Sequence, residues 1–243
     1  MPSTTRYRSF NTSDYLPNGV KWLLIANVAM FLPYYMIPGV KEHLDLLALA
    51  PELVVKHFAI WQLVTYMFLH GGIGHILFNM LALWMFGAML ERDWGTRLFL
   101  KYYFLCGIGA GLCDVTVNVL LGNWRTSTIG ASGAIYGLLL AFGVLYPNMT
   151  VLFSFIFPMK AKYMVMIIGA IAFLNAFRVN SGVSDIAHLG GMAFGYAYLR
   201  GRFLRMDFGY LQREYNAWKI RRAKKRFQVY LRKHGSDRDT FVN

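Results

Sequence analysis

The chain has 243 residues, of which 56% are hydrophobic and 15% charged, where a soluble domain carries about 25% charged residues. With a mean hydropathy of +0.39, this excludes a soluble, a disordered or a fibrous chain and places most of the molecule in a bilayer. Lys and Arg number 25 against 12 Asp and Glu, a net charge of +13, and that excess is unevenly spread.

Six apolar runs follow one another. Arg6, Arg8 and Lys21 precede the first, Trp22 to Pro38. A charged segment holding Lys41, Glu42, Asp45, Glu52 and Lys56 separates it from the second. The second is set to begin near Gly74, because His70-Gly71-Gly72 makes a poor spanning helix, and Glu91-Arg92-Asp93 closes it. The third is Leu98 to Leu121, with Lys101 near one end and Asp114 inside. The fourth, Ile129 to Tyr146, is ended by Pro147-Asn148. Val151 to Pro158 is apolar but too short to cross, and reads as interfacial. Tyr163 to Phe177 and Ile186 to Leu199 are the fifth and sixth, both short. The fold expectation is an all-α membrane protein of six transmembrane helices. Its parts are an N-terminal arm (1–21), a membrane domain (22–200) and a basic tail (201–243). Cys106 and Cys113 would stand about 10 Å apart on one helix, too far to form a disulfide.

Six crossings put both termini on one side. From Arg200 onward there are 13 basic and four acidic residues. With that side cytosolic, 21 of the 25 basic residues face the cytosol, and Lys41, Lys56, Arg125 and Arg178 face outward. The positive-inside rule therefore fixes the expected orientation and explains the tail better than nucleic acid does. The first run lacks the features of a removable signal peptide, so it is expected to stay. The compact six-span form, with no obvious organelle presequence, suggests a bacterial inner membrane.

Three of the runs carry polar residues near their outer ends. The second has His75 and Asn79, four apart and on one helical face. The fourth opens Gly130-Ala131-Ser132-Gly133 with Tyr136 beyond, and the sixth opens Ala187-His188-Leu189-Gly190-Gly191. Counting from each cytosolic boundary at about 1.5 Å per residue, Ser132 stands about 22 Å up, His188 and Asn79 about 18 Å, and His75 about 24 Å. In a core of about 30 Å all four fall in one layer, about 6–12 Å below the outer surface.

Polar groups at that depth need partners or water. Serine with histidine is the equipment of acyl transfer: a neutral imidazole takes the hydroxyl proton, and N–H donors hold the oxyanion. Asn79, His75 and the Ser132 backbone N–H are the candidate donors. Gly130 and Gly133 let backbone and substrate come close to the serine.

The set His70-x4-His75-x3-Asn79, Gly130-Ala-Ser132-Gly133 with Tyr136, and Ala187-His188-x2-Gly191-x3-Gly195 resembles the rhomboid intramembrane serine proteases. The resemblance covers Trp61 to Leu199, in order, and extends to Glu91-Arg92 after the second run. It implies a six-helix bundle with a Ser132/His188 dyad. His75 and Asn79 would hold the oxyanion, and Tyr136 would pack on the His188 ring. Gly191-x3-Gly195 would let the sixth helix approach the fourth. Substrates would be transmembrane segments with small residues near the scissile bond, and neither metal nor organic cofactor is implied. One departure is visible: Trp61-Gln62 stands where many members have Trp-Arg, which questions how the first external loop is anchored.

Other residues invite simpler readings. His70 reads as structural or interfacial. Asp114 reads as lying near the outer interface, solvated or paired with Arg125. Asp185, with Ser184, reads as a cap of the sixth helix. His75 and Asn79 could equally be interhelical hydrogen-bonding residues, and Tyr136 plain packing. Gly209 to His234 resembles a basic amphipathic helix suited to anionic headgroups, or is a solvated tail. The functional expectation is an intramembrane serine endopeptidase cutting near the outer third of the bilayer. The alternative is a non-catalytic relative that binds membrane clients. A transporter would call for internal repeats or paired interrupted helices, which the sequence does not display.

Overall fold

The computed structural model describes residues 16–37, 39–153, 157–176 and 185–201. The chain divides into two units, Met1–Tyr198 and Leu199–Asn243, and every candidate site residue belongs to the first. The amphipathic reading of the tail lies outside the described residues, as does most of the N-terminal arm.

Helix α1 spans Asn18–Met36. A segment of short helical turns leads from it to α2, Ile73–Trp94. α3 spans Thr96–Leu120, and α4 spans Ser132–Leu145. After α4 come strands β1 (Thr150–Phe153) and β2 (Phe157–Lys160), then α5 (Ala161–Asn175). α6 occupies 185–201. Among these, α1, α2 and α3 are long and apolar enough to cross a membrane by length and composition; α4 and α5 are shorter apolar helices. Trp22, Met36, Phe78, Met166 and Leu174 are all more than half exposed. Apolar side chains directed outward on several helices are what a lipid environment stabilises and water does not. The protein is an integral membrane protein.

The all-α expectation fails at one place. β1 and β2 pair antiparallel, from Thr150 opposite Lys160 to Phe153 opposite Phe157. The segment read as interfacial is thus a small hairpin. In β1, Thr150 and Val151 are β-branched and Phe153 is aromatic, side chains that favour a short strand, and hydropathy alone does not report that.

α3 is the axis of the packing. It buries Phe99, Tyr102, Tyr103, Cys106 and Asp114, and it packs against α4. Cys106 and Cys113 are both free thiols. α2 contains a wide π-type turn over Leu83–Gly87, a local irregularity that redirects side chains without ending the helix. At its far end Glu91, only 2% exposed, is held by three donors. The α1 backbone N–H groups of Gly19 and Val20 donate to its two oxygens at 2.7 and 2.8 Å. The Thr96 hydroxyl donates at 2.5 Å. A carboxylate from one helix therefore caps the N-terminus of another, satisfying orphan amides and the helix dipole together.

The loop between α1 and α2 is anchored by Gln62, which is fully buried. Its side-chain Nε2 donates to the Leu46 carbonyl at 2.9 Å, and its Oε1 accepts from the Ala50 N–H at 3.0 Å. The departure from Trp-Arg thus replaces a cation by an amide that both donates and accepts. Asp114 corrects another expectation. It is 1% exposed rather than solvated. It accepts from the Thr128 hydroxyl at 2.9 Å and from Asn118 at 3.2 Å, while Arg125 stands 3.8 Å from Glu52.

Candidate active site

The fourth run does not begin as a helix. Gly130 has φ +120°, a left-handed value that suits glycine, and α4 starts at Ser132. Residues 129–131 are therefore a loop leading into a helix N-terminus, where the first backbone N–H groups have no intrahelical acceptor. Two connections hold that loop. Leu49 and Thr128 exchange backbone hydrogen bonds of 3.0 and 2.9 Å, and the Gly130 N–H donates to the Tyr66 carbonyl at 2.9 Å. Thr128 is tied in turn to buried Asp114, and the Tyr66 hydroxyl donates to the Gly107 carbonyl of α3 at 2.7 Å. Thr128 and Tyr66, which help hold this loop, are missed by sequence reasoning, and Asp114 is noticed there without this role. The available signal is Asp114 itself, an ionisable group within an apolar run with Asn118 one turn on.

Ser132 and His188 come together from α4 and α6, with Oγ 2.8 Å from Nε2. The His188 ring lies flat on Tyr136, with centroids 4.0 Å apart and planes 5° from parallel. That stack fixes the imidazole plane, and His188 is 6% exposed. α6 can reach α4 because Gly191 faces the Gly133 carbonyl, where any side chain would collide. Gly195 departs from the expected role: it faces Tyr102 of α3 rather than α4.

His75 and Asn79 line the same cavity as Ser132, Tyr136 and His188, a space of about 720 Å³ with Phe78, Ala82 and Leu139 on its apolar side. The Gly71 N–H points at His75 Nδ1 at 3.4 Å. Accepting at Nδ1 leaves the ring proton on Nε2, and Nε2 lies beside Gly130, where an added Cβ would come within 2.7 Å of it. Asn79 donates one amide hydrogen to the His75 carbonyl at 3.0 Å, which leaves its second hydrogen for another acceptor. His70 is fully buried, with its ring edge-on to His75 at 4.9 Å, so the interfacial reading of His70 gives way to a buried one. Among the described residues no group of three His, Cys, Asp or Glu is placed to hold a metal.

Chemically, the site combines a hydroxyl in contact with an imidazole, a helix start and two side-chain N–H donors around one cavity, part polar and part apolar. These are the components of nucleophilic acyl transfer.

Relatives among known proteins come from distant organisms. RHOMBOID-like protein 1 of Arabidopsis thaliana is 32% identical over 170 residues, which is 70% of this chain and 41% of that protein. Rhomboid protease GluP of Bacillus subtilis is 34% identical over 136 residues, 56% of this chain and 25% of the relative. Rhomboid-like protease 3 of Toxoplasma gondii is 28% identical over 183 residues, 73% of this chain and 66% of the relative. In each case the match spans less than two thirds of the relative's own length. The Rhomboid domain family matches residues 57–205, a stretch that takes in Ser132, His188 and every donor around them, and by that match the chain belongs to the rhomboid family.

Proposed function

We propose that the protein is an intramembrane serine endopeptidase that cuts transmembrane segments of other membrane proteins. The observation that carries the reading is the 2.8 Å contact between Ser132 Oγ and His188 Nε2 in an apolar setting. Neutral His188 takes the hydroxyl proton as Ser132 attacks the scissile carbonyl, and it then returns that proton to the leaving amine. His75, Asn79 and the Ser132 backbone N–H hold the developing oxyanion. Water then releases the acyl product.

A substrate helix hides its carbonyls in its own hydrogen bonds, so it must unwind locally before attack. Entry is lateral, and cleavage falls in the outer third of the bilayer. Six crossings with both termini cytosolic agree with the distribution of basic residues, and the compartment we favour is a bacterial inner membrane. The basic tail would rest against anionic lipid headgroups.

The test uses purified full-length protein and a helical reporter in vesicles. Ser132→Ala is expected to reduce cleavage by at least about 10⁴-fold and to remove labelling by a fluorophosphonate probe. Cleavage that survives in the variant defeats the assignment. A wild type that binds the reporter without cutting it identifies a client-binding protein instead.

A further inference from the structure

A second space adjoins the catalytic cavity and plays no part in the chemistry. Glu52 and Lys56, from the loop between α1 and α2, and Trp124, Arg125 and Thr126, from the loop between α3 and α4, line a groove of about 560 Å³. The Glu52 N–H donates to the Trp124 carbonyl at 3.0 Å, which ties the two loops together. The groove begins where the cavity ends: Thr126 lines the groove, and its chain neighbour Ser127 lines the cavity with Ser132 and His188. Lys56 and Arg125 are two of the four basic residues expected on the outer side. Lys56 Nζ is 3.0 Å from Glu52 Oε1 and 4.6 Å from the centre of the Trp124 ring, so it is held from two sides. Arg125 is held loosely, 3.8 Å from Glu52 Oε2, with its side chain 93% exposed. Hydrogen bonding from Lys56, with the charges of Lys56 and Arg125, keeps the Glu52 carboxyl below the usual carboxylate range. Glu52 is therefore ionised and engaged with Lys56. Two cations stand against one carboxylate, and Arg125 carries the surplus charge.

We propose that this groove is a specificity site for the protease substrate, in which Arg125 receives the carboxylate of an acidic side chain lying outward of the scissile bond. The proposal rests on the endopeptidase reading. A substrate unwound at Ser132 is extended there, and an extended chain rises about 3.3 Å per residue. Ser132 stands about 8 Å below the outer surface, so from about the third residue outward the substrate has left the hydrocarbon. Arg125 is seven residues from Ser132 along the chain, which bounds their Cα separation at about 25 Å. The acidic residue therefore falls between about the third and the seventh position outward of the cut. A carboxylate there keeps much of its water, and the planar guanidinium offers it two parallel N–H donors. An amide at that position lacks the charge, and a lysine is repelled by Arg125 and Lys56.

Wild type, Arg125→Gln, Arg125→Glu and Ser132→Ala are compared as full-length protein in vesicles of phosphatidylcholine, with and without phosphatidylglycerol. The reporters are one transmembrane helix carrying Glu, Gln or Lys at each position from the third to the seventh outward of the cut. The readout is the ratio of kcat/KM between reporters, which a general loss of folded protein does not move. Wild type is expected to favour Glu over Gln about two- to fivefold at one position or two adjacent ones, carried in KM and weakened by salt. Arg125→Gln is expected to bring that ratio to about one, and Arg125→Glu to favour Lys over Glu. A wild-type ratio near one at every position, or a preference that survives in both Arg125 variants, overturns the proposal and leaves the endopeptidase reading standing. An Arg125 effect that is equal for all three reporters and appears only with phosphatidylglycerol also overturns it, and assigns the groove to a lipid headgroup. Cleavage by Ser132→Ala defeats the endopeptidase reading and the proposal together.

Discussion

Glu91 and His188 are ionisable side chains buried to a similar degree, at 2% and 6% exposure, at different places in the same apolar molecule. Glu91 receives three hydrogen bonds at its two oxygens, from two α1 amides and from Thr96. Among the described residues the His188 ring has one hydrogen bond, with Ser132, and its Nδ1 has none. A buried charge whose lone pairs are filled locks two elements together, because moving either strands it in hydrocarbon. A buried imidazole with open valence can change its protonation without dismantling anything. Polarity inside this membrane domain therefore has two uses, and the degree of hydrogen-bond satisfaction separates them.

The proposed oxyanion donors test the comparison most severely, since they would belong with His188. Asn79 has one amide hydrogen engaged and one to spare. Asn79→Ala is expected to lower kcat by about 10²–10³-fold, about 2.7–4 kcal/mol of transition-state stabilisation. Its unfolding midpoint should shift little, because the hydrogen bond lost is local to α2. Steady-state kinetics beside thermal unfolding would decide. A large fall in stability with kcat per folded molecule unchanged would move Asn79 into the class of Glu91.

Glu91→Gln probes the satisfied class. The amide keeps one acceptor oxygen but turns an NH₂ donor toward a backbone N–H, so one α1 amide loses its partner. Replacing a hydrogen bond to a charged group by a buried unsatisfied donor should cost about 2–3 kcal/mol. That loss is readable as a lower midpoint for unfolding in detergent. The rate of fluorophosphonate labelling per folded molecule should stay at the wild-type value. Slower labelling at full stability would show that the α1 clamp reaches the site, and the two-class picture would fail.

The site is far more legible in the sequence than the scaffold that holds it. Ser132, His188, His75 and Asn79 stand out because each is polar in an apolar run, and helix rise alone converts position into depth. The start of α4 differs from the expected Ile129, since hydropathy does not register that Gly130 turns left-handed. The pairing of Thr150–Phe153 with Phe157–Lys160 is hidden in an apolar stretch, since hydropathy does not report which residues pair. Nearness in sequence suggests Arg125 as the partner of Asp114. Its partners include Asn118, one turn on, and Thr128, 14 residues on, the latter close only once the loop folds back over α3. Glu91 resembles a family feature, yet nothing local reveals that its partners are the amides of α1. Depth is set by the chain's own periodicity, whereas hydrogen-bond partners are set by tertiary approach.

Gln62 gives the smallest effect and extends the comparison to a neutral group. It is fully buried, donating to Leu46 and accepting from Ala50, so it belongs with Glu91 although it bears no charge. Gln62→Arg introduces the residue of the Trp-Arg pattern. A guanidinium can still donate to the Leu46 carbonyl, but it has no acceptor for the Ala50 N–H. One buried amide is left without its partner, at a cost of about 1–3 kcal/mol, while the added cation must find water at the outer surface. The expected result is a modestly lower unfolding midpoint, faster hydrogen exchange at Ala50 and unchanged turnover at saturating substrate. If the midpoint instead rises, the arginine has found acceptors that Gln62 does not use. The loop between α1 and α2 would then owe its order to charge rather than to the paired donor and acceptor of one amide.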